Sequence, residues 1–307
     1  MADIIYTAIY IFAFLFTGVS AAFFINKRMP QDSFLNLLNL LILSLSLPAL
    51  LFLMLFKFFS QNGIVEDFFL TGLYTLIVLS SAILSVFILK FTVKKNDFKT
   101  AALMLLFPNV FVFPLILIYG ELGLNHSCAF VFALFSIFFI PIGFVSSTLV
   151  KKRDAFIKGA KRRFLPLIFS QLVGLIFAAF SFQERLPWFV TAQVETLALL
   201  TLPLFMLFLG ASLLRAFKFL GKENYQSIFI FILLKQVLMP LVVFIFIYVF
   251  NVEYRFGAVM ILLSSSPASS MISSAGEEKL EAQLFFWSTA ATVILMPLSF
   301  NLLGKLY

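Results

Sequence analysis

A chain of 307 residues that is 62% hydrophobic and only 12% charged, with a mean hydropathy of +1.08, has no counterpart among soluble domains of that length. Its net charge of +8 would suit nucleic acid, but the basic residues stand in short stretches between apolar runs and read as topology signals, so nucleic acid is excluded as a partner. The single cysteine, Cys128, rules out an intrachain disulfide, and the lone His126, beside a membrane boundary, reads as interfacial and not as a metal ligand.

In chain order, hydropathy marks ten expected spans: 4–25, 33–56, 67–91, 99–119, 126–149, 164–182, 194–214, 226–250, 255–275 and 281–303. Most approach or exceed the roughly 20 residues that cross a bilayer as a helix. The expected fold is therefore an all-α polytopic membrane protein. It comprises a five-helix repeat over 1–150, a basic cytoplasmic linker over 151–163 and a second five-helix repeat over 164–307. The first span lacks a basic leader and is followed by Asn26-Lys27-Arg28, so it is expected to be an anchor, not a cleaved signal peptide.

Loop charges set the orientation. Seventeen basic residues, among them Lys151, Lys152, Arg153 and Arg163, fall on one side, against Lys57, Arg185, Arg255 and Lys305 on the other. By the positive-inside rule the 151–163 loop faces the cytoplasm and both termini face outward; short loops and the absence of transit features point to the cytoplasmic membrane. Five spans per half is an odd number, so the halves are expected to insert with opposite topology.

Spans two and seven carry prolines in matched places: Pro48 and Pro203 are 155 positions apart. Their flanks are polar, with Asn36, Asn39, Ser44 and Ser46 in one and Glu195, Thr196 and Thr201 in the other. Ser44 and Ser46 read as glue between helices, whereas Asn39 is a candidate for a polar cavity. Gly210, Ala211 and Ser212 read as close-packing residues.

Spans four and nine organise the rest. KTAALMLLFPNVFVFPLILIYGELG (99–123) carries Pro108, Asn109 and Pro114 at its centre. A proline removes a donor and clashes with the preceding turn, and opened backbone at membrane depth is tolerated only within protein or beside a cavity. RFGAVMILLSSSPASSMISSAGEEK (255–279) aligns with it at a shift of 156, placing Gly120-Glu121 on Gly276-Glu277, Asn109 on Ser265 and, further on, Pro141 on Pro297. Two interrupted helices in corresponding places predict an inverted-repeat transporter whose half-helix ends meet at mid-membrane.

Candidate substrate-binding residues follow: Pro108, Asn109, Val110, Phe111 and Pro114 in span four, Ser264, Ser265, Ser266 and Pro267 in span nine, and Asn39. Lys235 and Gln236 join them from span eight, where Lys235 is the one basic residue well inside a span. A lysine at membrane depth faces a cavity or partner, or else snorkels. The downstream half-helices bring their N-termini to mid-membrane, which favours an anion. Asn109 and the serines add hydrogen bonds, and Lys235 could balance a carboxylate and couple its binding to pH. Ser269 and Ser270 could instead re-satisfy opened backbone.

Several of these runs resemble one family. FPNVFVFPLILIYGELGL is similar to the fourth span of the auxin efflux carrier family, TLPLFMLFLGASLL to its seventh, LLKQVLMPLVVF to its eighth and SSSPASSMISSAGEE to its ninth. The resemblance runs from about residue 4 to 303. It implies a ten-span fold of two inverted five-helix repeats, with a scaffold and a crossover domain, spans four and nine crossing at their proline breaks and substrate beside the crossing. It also implies an organic-acid cargo: auxin in plants, malonate or malate for bacterial relatives. Phe111, Val112 and Phe113 depart from the small residues usual there, which implies a narrower or more apolar pocket. The long cytoplasmic loop of the plant members is missing.

The expected function is secondary active transport of an organic anion by alternating access, with the anion and the lipid bilayer as partners, a homodimer as an open option and no cofactor. The alternative is a sodium-coupled symporter of the bile acid carrier type, which shares the architecture; no Asp or Glu near either break argues against it. No metal-spaced cluster or nucleophile–base arrangement points to an enzyme.

Overall fold

Each apolar run folds as helix, because backbone polar groups in lipid must bond within their own segment. The computed structural model describes residues 2–26, 29–58, 64–106, 111–118, 126–150, 154–180, 182, 186–221, 225–268 and 279–307. In chain order these form α1 (Ala2–Asn26), α2 (Gln31–Leu41), α3 (Leu47–Phe58), α4 (Ile64–Thr92), α5 (Lys95–Leu106), α6 (Val112–Leu117) and α7 (Ser127–Val150). There follow α8 (Asp154–Ala179), α9 (Trp188–Leu199), α10 (Thr201–Phe217), α11 (Tyr225–Leu233), α12 (Met239–Phe250), α13 (Tyr254–Ser265) and α14 (Lys279–Gly304). Every expected span overlaps one helix or two. Five rods among the described residues are long and apolar enough to cross a membrane: Gln31–Lys57, Glu66–Thr92, Trp188–Phe217, Tyr225–Phe250 and Lys279–Gly304. Residues 154–163, within the expected linker, are helical and open α8. Ala, Lys and Arg are good helix formers and Asp154 suits the helix start.

Prolines shape three of the rods. A π turn over Ile42–Ser46 joins α2 to α3 just ahead of Pro48, and another over Leu234–Leu238 joins α11 to α12 just ahead of Pro240. Leu200 separates α9 from α10 ahead of Pro203. In each case the ring cannot sit against the carbonyl four residues back, and the preceding turn widens or breaks.

Helix packing recurs in matched pairs along the chain. α1 lies along α10 as α8 lies along α3; α14 packs on α1 as α7 packs on α8; α13 packs on α12 as α5 packs on α4. The closest approach is at Gly18 and Gly210, where a Cβ on either would overlap the partner's backbone. Gly174, 156 positions beyond Gly18, plays the same part on α8: its Cβ would stand 3.3 Å from Leu55 Cβ and from the Phe52 carbonyl oxygen. Ser136 and Thr292, also 156 apart, each accept a hydrogen bond from a buried glutamine, Gln171 and Gln236 respectively. Gly210, Ala211 and Ser212 are buried, as their expected packing role requires.

The outside of the bundle is strongly apolar. Phe12, Phe16, Phe24, Phe69 and Phe91 are all more than 60% exposed. Patches of this extent are stable only against lipid or another apolar surface.

Candidate functional site

The centre of the site is the end of α13. This helix is fully buried from Phe256 onward and stops at Ser265. Ser266 turns to an extended conformation (ψ 144°), and Ser266, Pro267 and Ala268 continue as buried non-helical backbone. A helix that ends inside protein leaves its last four carbonyls without intrahelical partners. Two of them are met from close by. Ser266 Oγ donates to the Leu262 carbonyl at 2.6 Å, and Lys235 Nζ donates to the Ser264 carbonyl at 3.1 Å.

Lys235 is wholly buried within the π turn, and its other near neighbour is Met239 Sδ at 3.8 Å. An ammonium at the negative end of a helix dipole is favourably placed. The lysine therefore caps the broken helix. Ser264 and Ser265 donate their hydroxyl protons to the Ile261 carbonyl, at 3.0 and 2.6 Å. Ser266 thus meets an orphaned carbonyl, while Ser264 and Ser265 back-bond to a carbonyl inside the helix.

Gln236, beside Lys235, donates from Nε2 to Thr292 Oγ1 at 2.7 Å, while its Oε1 is buried without a partner. Thr292 donates onward to the Ser288 carbonyl at 2.8 Å, and Ser288 Oγ accepts from the Ala268 N–H at 3.1 Å. On the same helix, Thr289 Oγ1 is also buried without a partner. α14 thus lines the break with Ser288, Thr289 and Thr292, which the sequence reading missed. Their i, i+4 spacing in an otherwise apolar span was the available signal.

The remaining candidates are placed as follows. Pro108, Asn109 and Val110 lie outside the described residues, as do Ser269 and Ser270. Phe111 stands in the turn before α6, edge-on to Phe132 with ring centroids 6.3 Å apart, and Pro114 is buried within α6. α6 packs against α13 and α10, which brings the downstream part of span four to the helix that breaks. Asn39 is 2% exposed, and neither atom of its amide has a partner. It lies on α2, which packs on α10, and not on the helices around Lys235.

One face of the region is stapled by ions. Arg255, at the start of α13, holds Asp67 of α4 through two hydrogen bonds of 2.9 and 2.8 Å and also pairs with Glu253 at 2.8 Å. At the start of α5, Asp97 accepts from Ser227 of α11 at 3.0 Å.

No curated protein matches the chain. A family model described as membrane transport protein matches residues 151–300, which take in α8 to α13 and most of α14. Buried non-helical backbone among apolar helices and this match agree: the chain is a multi-pass membrane protein whose residues 151–300 match the membrane transport protein family.

Proposed function

We propose that this transporter is a secondary carrier of an organic anion, a carboxylate, that binds beside the breaks of spans four and nine and crosses by alternating access. The observation that carries the reading is the stop of α13 at Ser265 with buried, non-helical Ser266–Ala268 beyond it. Irregular backbone in such a place is costly, and transporters use it to hold cargo. Lys235 neutralises the carbonyl end of the break, so an anion approaching it meets less repulsion. Gln236 Oε1 remains as an unpaired polar atom next in sequence to the capping lysine.

Ten spans in two inverted five-helix repeats suit the reciprocal packing of α1 on α10 and α8 on α3, and the glycines at matched positions in α1 and α8. In this reading the 151–163 region faces the cytoplasm, both termini lie outside, and Asn109 meets the carboxylate from span four.

Uptake of labelled malate and phenylacetate into liposomes containing the purified protein tests this. Saturable uptake of at least one of them, independent of a sodium gradient, is expected. Uptake that requires sodium would favour the bile acid symporter type, and the absence of uptake of any carboxylate would remove the proposal.

A further inference from the structure

Hydroxyls buried in these helices mostly spend their proton on a carbonyl one turn back. Thr71, Thr75, Ser81 and Ser85 of α4 all do so, at 2.7, 2.8, 2.7 and 2.9 Å. Besides Thr289 of α14, two hydroxyls depart from this habit. Ser46 and Thr201 are each 1% exposed, and neither Oγ has a hydrogen-bond partner. They are 155 positions apart, each two residues before a matched proline, Pro48 and Pro203.

Ser46 closes the π turn, in which the Leu47 N–H donates to the Ile42 carbonyl. Thr201 opens α10 after the break at Leu200. Asn39, two turns before Ser46 and equally buried, leaves both amide atoms unpaired. The elements that bear the three are in contact: α2 and its π turn both pack against α10.

The same two rods are pinned at both ends. Lys57 pairs with Glu195 at 2.7 Å at one end; at the other, Arg215 meets Asp32 at 3.4 Å and Lys218 donates to Gln31 Oε1 at 2.8 Å. Their ends are satisfied and their middle is not. Buried polar groups normally find partners, so three without them on elements in contact mark a place for something else. Together they offer an amide N–H₂ and two hydroxyls and no acid, which matches the oxygens of a carboxylate. The two acids of these rods, Asp32 and Glu195, are already taken up at the pinned ends.

We infer that Asn39, Ser46 and Thr201 form a carboxylate subsite between spans two and seven, contributed by both halves of the chain. This inference rests on the organic-anion reading above. It adds a contact on rods that carry neither break, so cargo would be held between the broken helices and this pair.

Thermal unfolding of the purified protein, with and without malate or phenylacetate, tests it. In Ser46→Ala and in the Ser46→Ala/Thr201→Val double variant, removing hydroxyls that lack partners should leave the ligand-free melting temperature unchanged or higher. The carboxylate concentration needed for half of the stabilisation should rise about tenfold or more. A lower ligand-free melting temperature with an unchanged carboxylate response would make the hydroxyls structural and overturn the subsite, leaving the carrier reading intact. If neither probe stabilises the wild-type protein, the carboxylate reading fails and this subsite fails with it. Ser46→Ala alone, the milder change, decides the matter if the double variant is not recovered folded.

Discussion

Lys235 shows how a charge is settled inside this molecule. Its depth in span eight and the lack of an acidic neighbour were legible in the sequence, but its partner was not. That partner is the carbonyl of Ser264, and a carbonyl becomes available only where a helix stops. The cap alone predicts that Lys235→Met lowers stability by about 1.5–3 kcal/mol, the worth of a hydrogen bond to a charged group, measured as the shift of the unfolding midpoint. Coupling to cargo predicts more. Lys235→Gln should lose affinity or pH dependence of transport across pH 5–8, while Lys235→Arg keeps the charge without titrating. If Lys235→Gln transports like the wild type across that range, the residue is a cap and nothing else. Asn109 carries a separate expectation: Asn109→Ala should weaken carboxylate affinity about tenfold or more with unchanged thermal stability, because one charge-assisted hydrogen bond is lost. Unchanged affinity would return Asn109 to a structural role.

At the scale of elements, the prolines were readable and their consequences only partly so. Pro48 and Pro203 stood out by their spacing. That one would widen the turn before it while the other ended a helix depends on how the neighbours accept the strain. Glycine was harder to read. Gly210 was marked by its small neighbours, but Gly18 and Gly174 gave no signal until α1 met α10 and α8 met α3. A single glycine in an apolar run is ambiguous until the partner backbone is known. The approach at Gly18 and Gly210 leaves no room for a side chain, so Gly210→Leu should destabilise the protein by roughly 3 kcal/mol or more and reduce the folded yield. Gly304→Leu is the control: nothing lies within 4 Å of the position its Cβ would take, and the unfolding midpoint should not move. Equal effects of the two substitutions would refute the close packing of α1 on α10.

At the scale of the molecule, hydropathy was enough to place a helix at every expected span, because lipid leaves the backbone little choice. The polar lining was not legible to the same degree. Ser288, Thr289 and Thr292 come to the break only because α14 packs on α13, and Ser46 is distinguished from Ser81 by a missing hydrogen bond, not by its residue type. The orientation remains a matter of charge, and it predicts a labelling pattern. In a Cys128→Ser background, a cysteine placed between residues 151 and 163 should be shielded from an impermeant thiol reagent applied outside intact cells. Labelling there would reverse the topology.

The central claim, that the protein carries an organic anion by alternating access, is tested most directly by counterflow. Liposomes containing the protein are loaded with unlabelled malate or phenylacetate and diluted into a trace of the same labelled compound. A carrier whose site faces one side at a time predicts a transient accumulation of label above equilibrium for at least one of these carboxylates, reduced in Asn109→Ala. Label that only equilibrates, or never enters, for every carboxylate tried would contradict the account.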